Sequence, residues 1–237
     1  MSILAANQPY FFPYIGFFSI LDDADIYVYA DMMQFRKQSW MCRNRVISND
    51  GSVQYISIPI KNAGARKSIR ETEIDYSRPW EHDVINRLGY YKKRAPYYHE
   101  VMDMLDEFFS EKYSNLADAN IRSIELVSER VGIMTPTYLQ SELNLPVSDD
   151  MSADDWGALI SLQFPGVKIY RNAPGGKEFY DPRKYEKCGL KIEFLQNRLN
   201  AYDQKSDEFI PGLSIIDVMM FNSKEQIKEM LKDFEII

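Results

Sequence analysis

Residues 3–16 read ILAANQPYFFPYIG, and this stretch joins a predicted buried strand to a loop rich in aromatic side chains. The apolar run Ile3 to Ala6 has the length and composition of a strand. The segment from Asn7 to Pro13 packs three aromatic residues between two prolines, which excludes it from the middle of a sheet. Since α/β proteins bind ligands in loops beyond the carboxyl ends of strands, this stretch predicts an α/β fold with an early binding loop.

The rest of the chain alternates between strand and helix patterns. Apolar alternation predicts strands at 26–29, 40–47, 53–60, 167–170 and 191–195. Helical periodicity and capping signals predict helices at 16–21, 98–109, 114–131 (ending at Gly132) and from a capping box at 223–226 onward. The polar stretch 144–158 is the predicted hinge. We predict a mixed sheet from the N- and C-terminal thirds with a helical middle packed on it. We also predict a single domain over residues 1–237, within which 80–143 is a candidate helical subdomain.

Composition describes an acidic globular chain of 237 residues with 45% hydrophobic residues and a net charge of −7. This net negative charge argues against a protein whose whole surface binds nucleic acid, because phosphate binding requires a cationic face. Residues 36–94 are an exception, with 13 Lys and Arg against 6 Asp and Glu; they indicate a local anion site or a basic surface paired with acidic neighbours. Two Cys outside any CxxC motif and two His argue against a His/Cys zinc site, and we predict no metal. No cofactor is predicted either. The absence of an apolar run of ~20 residues or of a signal peptide predicts a cytoplasmic protein without a membrane span.

The aromatic loop is the first candidate site. Proline-held rings of Tyr10 and Phe12 could stack on a base or sugar ring, and the Gln8 amide could bind hydroxyl groups. The alternative is an aromatic plug that closes the sheet.

Three further stretches carry candidate chemistry. Arg43 and Arg45 share one strand face and could fork onto diphosphate oxygens, although an exposed strand explains them equally well. The paired glycines after Asn172 could bring backbone N–H groups close to an anion. Asp217 lies in an apolar run, where burial would raise its pKa and make it a proton acceptor; a structural salt bridge is the alternative.

Taken together, these stretches resemble the WbqC-like protein family. The motifs keep their order from Gln8–Pro9 to Ser214–Asp217, although 145–166 departs from the usual family pattern. The motif positions and nearby cations predicted to contact a ligand are Gln8, Tyr10, Phe12, Tyr14, Lys37, Arg43, Asn44, Arg45, Lys61, Asn172, Gly175, Gly176, Tyr180 and Ser214.

The family resemblance implies a role in bacterial surface-polysaccharide (O-antigen, lipopolysaccharide) biosynthesis. The predicted function is a tailoring transferase that moves an acyl or aminoacyl group, such as glycyl, to the amine of a dTDP- or UDP-linked amino-deoxy sugar, with Asp217 as the base. The alternative is a non-catalytic nucleotide-sugar binding or scaffold protein. Predicted partners are the nucleotide sugar and an acyl or aminoacyl donor, with aminoacyl-tRNA among the options. The supply of aromatic side chains is compatible with a homodimer.

Overall fold

The protein is described by a computed structural model that covers residues 2–64, 66–146 and 151–237. Its strands are β1 (Ser2–Asn7), β2 (Ile26–Tyr29), β3 (Arg43–Ile47), β4 (Val53–Ser57), β5 (Thr137–Leu139), β6 (Val167–Asn172), β7 (Lys191–Asn197) and β8 (Phe234–Ile236). Six of them form one sheet in the order β5-β2-β1-β6-β7-β8. The first five of these are parallel and β8 is antiparallel to β7, so the predicted mixed α/β class is confirmed.

Of the eight α-helices in the described ranges, four were predicted from local signals, at 16–21, 98–109, 114–131 and after the capping box at 223–226; the other four were not predicted. The eight are α1 (Ile15–Asp23), α2 (Trp80–Asn86), α3 (Tyr98–Phe109), α4 (Leu116–Val131), α5 (Asp155–Ser161), α6 (Pro182–Lys187), α7 (Ile215–Phe221) and α8 (Lys224–Lys232). The start of α4 falls two residues after the predicted one, because the Asn115 side chain caps the helix and accepts from the N–H of Asp118 at 3.0 Å. Its end at Gly132, with a φ of +86°, confirms the predicted stop. Within the described ranges, no helix is both long and apolar enough to cross a bilayer.

Strands β3 and β4 form a separate antiparallel hairpin rather than part of the main sheet. The sequence predicts a strand over 53–60, but β4 ends at Ser57. Pro59 follows two residues later and has no N–H to donate to a partner strand, which explains the early end. The hairpin buries Val46, Ile47 and Ile56 in the larger hydrophobic cluster, so it is anchored against the helices and not along a sheet edge.

The sheet is covered on both faces, and strand alternation sorts the side chains between them. Ala5 and Tyr27 point into the larger cluster, which is built with α1, α3, α4, α7 and α8. Their strand neighbours Leu4 and Val28 point into a smaller cluster with α5 and Tyr185 of α6. The sequence predicts a cover of two central helices; the structure shows that α5 and α6 cover the opposite face.

The strand order places β1 at the centre, between β2 on one side and β6 on the other. From β1 the chain passes through α1 to β2 on one side of the sheet, and from β6 it continues to β7 on the other side. The connections from the two central strands, β1 and β6, therefore run in opposite directions. Such a topological switch point opens a crevice beyond the carboxyl ends of the two strands. Asn7 and Asn172 are the last residues of β1 and β6 and stand at this crevice.

Candidate functional site

A pocket of about 480 Å³ lies at the switch point, within the size range of small-molecule sites. We call it the switch-point pocket; its wall is formed by Ala6, Asn7, Gln8, Tyr10, Ala30, Met33, Ala153, Trp156, Ile160, Tyr170, Asn172, Ala173, Gly175, Gly176 and Tyr180. Six of the residues selected from separate stretches of sequence meet in this wall: Gln8, Tyr10, Asn172, Gly175, Gly176 and Tyr180.

The polar groups of the switch-point pocket are amides and phenols. Nδ2 of Asn172 donates to the Tyr180 hydroxyl at 2.6 Å, and Oδ1 of Asn172 accepts from the N–H of Ala173 at 2.7 Å. Nδ2 of Asn7 is buried and has no hydrogen-bond partner among the described residues. No Lys, Arg, His, Asp or Glu belongs to the described wall, so the pocket suits an uncharged group rich in hydroxyls or amides.

The phenols of the pocket are held in their protonated form. Burial raises the pKa of the Tyr170 hydroxyl well above its usual range, and burial also raises the pKa of Tyr10 and of Tyr180. Tyr170 donates to the carbonyl oxygen of Ala6 at 3.3 Å, and Tyr10 donates to Oε1 of Gln8 at 3.3 Å. The wall therefore carries donors and acceptors at defined positions, as recognition of sugar hydroxyls requires.

Helix α5 supplies one side of the pocket and places Trp156 in its wall. Trp156 is not among the residues predicted from sequence, because the stretch 145–166 departs from the usual family pattern. The available signal was a tryptophan beside two aspartates in a polar stretch. Residues 147–150 of the predicted hinge at 144–158 lie outside the described residues. The remainder includes the start of α5, which is a wall of the site.

Helix α5 is tied to α6 by one lysine. Nζ of Lys184 donates to Oδ1 of Asp154 at 2.8 Å and to Oδ1 of Asp155 at 2.7 Å. Lys184 also donates to Oγ of Ser152 at 2.7 Å, and the Tyr185 hydroxyl donates to the carbonyl oxygen of Asp154 at 2.9 Å. These contacts position the N-terminal turn of α5, and with it the Trp156 side of the pocket.

Replacing Lys184 by methionine is expected to reduce the acid sensitivity of the protein. Hydrogen bonds from Lys184 and Ser152 lower the pKa of Asp155 to about 2. A carboxyl group with a lowered folded pKa stabilises the fold above its unfolded pKa of about 4, and this contribution is lost as the pH falls towards 2. Without Lys184 the folded pKa moves back towards the unfolded one, so Tm should fall less steeply with acid.

The measurement is Tm at a series of pH values for the wild type, Lys184→Met and Lys187→Met. Lys187 lies on the same helix and has no carboxylate partner within the described ranges, so its variant controls for the loss of a charge. Parallel acid profiles for the wild type and Lys184→Met would contradict the assigned role of Lys184.

A second pocket of about 310 Å³ adjoins the first, because Tyr10 belongs to both walls. We call it the Trp40 pocket; its wall is formed by Tyr10, Pro13, Tyr14, Trp40, Asn44, Arg45, Leu199 and Gly212. The Arg45 guanidinium lies 5.5 Å from the centroid of the Trp40 ring, and its Nη2 donates to the carbonyl oxygen of Gly212 at 2.8 Å. This pocket collects Tyr14, Asn44 and Arg45 from the predicted contacts and adds Trp40.

The loop that borders both pockets is held by buried polar side chains. The carbonyl oxygen of Phe12 accepts from Nδ2 of Asn44 at 2.7 Å and from Oγ of Ser214 at 2.8 Å, while its N–H donates to Oγ of Ser123 at 3.2 Å. These three contacts stabilise the positive φ of Phe12, +39°, a conformation that costs a non-glycine residue of order 1–3 kcal/mol. Asn44 and Ser214, both predicted as ligand contacts, thus use these donors to position the loop.

The aromatic loop divides its rings between core and pocket. Phe12 is fully buried and packs edge-on against Phe108 at 5.1 Å and against Phe11 at 5.0 Å, so its ring has no face to offer a ligand. Tyr10 and Tyr14 remain partly exposed and line pockets. The aromatic plug is therefore present at Phe12, whereas a stacking role for Tyr10 and Tyr14 stays a prediction.

Three predicted cations lie outside both described walls. The guanidinium of Arg43 packs on the Tyr55 ring at 4.3 Å, whereas Arg45 turns to Trp40, so the two arginines do not form the predicted fork. Lys61 pairs with Glu73 at 3.4 Å on the surface. Lys37 is exposed and lines neither pocket.

Asp217 is fully buried in the first turn of α7 and belongs to neither wall. Its carboxylate accepts from the Tyr91 hydroxyl at 2.7 Å, the Tyr202 hydroxyl at 2.5 Å and Nε2 of Gln204 at 2.8 Å. Burial raises its pKa, in the predicted direction. The Tyr91 hydroxyl also accepts from the N–H of Ile47 at 2.9 Å, so the carboxylate links α7, β3 and the 202–204 segment.

The protein is an α/β protein with two adjoining pockets at the switch point of a doubly wound sheet, which is the place where proteins of this class bind small molecules. In the described part of the chain, no three His, Cys, Asp or Glu residues are grouped so as to hold a metal ion. The chain belongs to the WbqC-like protein family, whose model matches residues 8–229. Family membership associates it with polysaccharide biosynthesis.

The chain is also similar to the uncharacterized protein Rv1507c of Mycobacterium tuberculosis. The two are 25% identical over 236 residues, and the match covers 98% of each chain. No solved structure matches the chain significantly.

Proposed function

We propose that the protein is a tailoring transferase of surface-polysaccharide biosynthesis, which moves an acyl or aminoacyl group to the amine of a nucleotide-linked amino-deoxy sugar. The observation that carries this proposal is the uncharged wall of the switch-point pocket, where amide and phenol groups alternate with aromatic surface. Trp156 and Tyr10 offer flat apolar faces for a sugar ring, and Asn7, Gln8 and Asn172 offer amides for its hydroxyls and amine.

The proposed reaction forms an amide. The sugar amine, in its neutral form, attacks the carbonyl carbon of an activated acyl donor and forms a C–N bond. The bond between the carbonyl carbon and the leaving group breaks, and the amine proton passes to the leaving group or to water. We expect N–H groups of Gly175 and Gly176 to stabilise the oxyanion that develops on the carbonyl oxygen.

The proposal changes the role of Asp217 from the one predicted from sequence. A general base must reach the proton that it removes, within about 3 Å or through one water. Asp217 is fully buried, lines neither pocket and already accepts three hydrogen bonds. We therefore infer that it is a structural anchor, and that the rate follows the ionisation of the substrate amine.

A non-catalytic nucleotide-sugar binding protein is the second candidate. It is favoured by one specific observation: among the described residues, the wall of the switch-point pocket contains no Cys, Ser, His or carboxylate that could act as a nucleophile or base. A binding protein would retain the ligand unchanged with every donor offered.

The test combines binding with product detection. Purified protein is heated with dTDP- and UDP-linked 4-amino-4,6-dideoxyhexoses and with the matching sugars that carry hydroxyl in place of amine. A ligand at 100 times its Kd adds about 2.7 kcal/mol to the free energy of unfolding, which raises Tm measurably. We expect this shift for the amino sugars and a smaller one for the hydroxyl analogues.

The second stage adds acyl-CoA, acyl phosphate and aminoacyl-tRNA donors and reads the mass of the nucleotide sugar. A mass gain equal to one acyl group supports the transferase. Binding without any mass change supports the binding-protein candidate. The absence of a Tm shift across the whole panel would contradict both.

A further inference from the structure

The uncharged switch-point pocket cannot by itself hold a whole nucleotide-linked sugar. The diphosphate of such a ligand carries formal negative charges, and removing them from water among neutral groups is strongly unfavourable unless a cation is present. The described wall contains no cation. If the sugar ring lies in this pocket, its diphosphate must leave it towards a cationic group nearby.

Arg45 is the cation that adjoins the pocket across Tyr10. Tyr10 belongs to both walls, and Arg45 lines the neighbouring Trp40 pocket. Within the described ranges Arg45 has no carboxylate within ion-pair distance, in contrast to the buried Arg171, which pairs with Asp23 and Glu193. Among the described residues, its guanidinium is contacted by the carbonyl oxygens of Pro211 and Gly212 and by the face of the Trp40 ring.

The Trp40 pocket also provides a surface for a base. Trp40 is 42% exposed, and a tryptophan ring that is accessible to solvent is well suited to stacking on a planar ring. Tyr14 forms part of the same wall, and burial raises the pKa of its hydroxyl, which therefore stays protonated. A guanidinium without a carboxylate partner among the described residues, beside a partly exposed indole, suits a phosphate joined to a nucleobase.

We propose that the two pockets form one bipartite site, in which the Trp40 pocket binds the nucleotide and the switch-point pocket binds the sugar. Arg45 binds the phosphate oxygens, Trp40 stacks on the base, and Tyr10 stands between the two halves. This inference rests on the proposed function for the identity of the sugar half. It assigns the diphosphate to Arg45 alone among Lys37, Arg43, Arg45 and Lys61, the cations selected from sequence.

The three tryptophans of the chain provide separate reporters for the two pockets. Trp40 and Trp156 each line one pocket, and Trp80 is 3% exposed in the core, where it serves as an internal reference. Trp156→Phe leaves Trp40 as the responsive side chain, and Trp40→Phe leaves Trp156. The probes are dTDP, UDP and their 4-amino-4,6-dideoxyhexose conjugates.

We expect the bare nucleotide to change the emission of Trp156→Phe and to leave that of Trp40→Phe unchanged. The nucleotide sugar should change the emission of both variants. Arg45→Gln should weaken nucleotide binding by roughly 10- to 100-fold, the effect of losing hydrogen bonds to a charged group. Arg94→Gln is the matched control, because Arg94 also packs on an aromatic ring, at 4.4 Å from Tyr90, and donates to a backbone carbonyl.

Arg45→Lys keeps the charge without the planar fork, and we expect it to bind with intermediate affinity if Arg45→Gln proves too unstable to study. The bipartite site would be overturned if a nucleotide sugar changed only the emission of Trp156 and bound the Arg45 variants with unchanged affinity. That outcome would leave the proposed function standing. If a bare nucleotide changed the emission of Trp40 but no sugar conjugate changed the emission of Trp156, the nucleotide subsite would be supported. The proposed function would be contradicted.

Discussion

Replacing Gly157 by alanine is expected to lower both the stability of the protein and the affinity of the switch-point pocket. Gly157 is buried in α5 and faces Tyr170 and Tyr185, whose rings stack at 5.5 Å with an interplanar angle of 16°. An added Cβ would lie 2.5 Å from Cζ of Tyr170 and 2.5 Å from the Tyr185 hydroxyl. Neither ring can move freely, because each hydroxyl donates to a backbone carbonyl.

The size of the effect follows from two opposing terms. Overpacking of a core costs about 1–3 kcal/mol, and two stacked rings place this case at the upper end. The higher helix propensity of alanine offsets about 1 kcal/mol of this cost. We therefore expect a net loss of about 2 kcal/mol in the free energy of unfolding. Because Tyr170 and α5 are walls of the pocket, we also expect ligand affinity to fall at least roughly tenfold, through displacement of the site.

Urea unfolding and the Tm-shift assay measure the two effects. The control is Gly64→Ala, an exposed glycine whose added Cβ would contact nothing within 4 Å, so we expect a change within about 0.5 kcal/mol. A Gly157→Ala protein with wild-type stability and affinity would show that α5 shifts without consequence, and would remove it from the site.

Replacing Asp217 by alanine is expected to cost about 3–5 kcal/mol of folding free energy. The substitution removes the acceptor of the Tyr91 and Tyr202 hydroxyls and of one N–H of Gln204, whose Nε2 keeps its hydrogen bond to the Ile210 carbonyl oxygen at 3.1 Å; each unsatisfied buried donor costs about 1–3 kcal/mol. It also disconnects α7 from the 202–204 segment and from the Tyr91 hydroxyl. The readout is urea unfolding followed by far-UV circular dichroism.

Asp217→Asn separates the structural role from the catalytic one. If Asp217 removed the amine proton, this variant would lose turnover by ~10² or more while retaining its stability. We expect the reverse: a lower free energy of unfolding, with turnover per folded molecule unchanged. A stable Asp217→Asn protein without activity would restore the base assignment.

The same variant has a defined pH signature. Burial raises the folded pKa of Asp217 above its unfolded value, so its contribution to stability is complete below the unfolded pKa and decreases as the pH rises through the folded pKa. Asparagine does not titrate. The stability difference between the wild type and Asp217→Asn should therefore narrow as the pH rises from about 4, and a constant difference would contradict the raised pKa.

Local sequence signals were sufficient for most elements of the fold. The run Ile3 to Ala6 predicts β1, the capping box at Ser223 and Gln226 is present, and the helix predicted to stop at Gly132 ends there. These features depend on neighbouring residues, through apolar burial, side-chain caps and a left-handed glycine. The separation of the β3–β4 hairpin from the main sheet was not predictable in this way, because strand pairing joins segments far apart in the chain.

The candidate site likewise combines features that depend on neighbouring residues with features that depend on residues far apart in the chain. By itself, the sequence determined which side chains could bind a ligand in the loop after β1 and the glycine segment after β6, since residue type and the end of a strand are local properties. Only the tertiary structure decided which of them share a wall. It brought Asn172 and Tyr180 to the Gln8 loop, added Trp156 from α5, and turned Phe12 into the core. Strand order places segments more than 100 residues apart at one crevice, and burial then determines which groups remain accessible to a ligand.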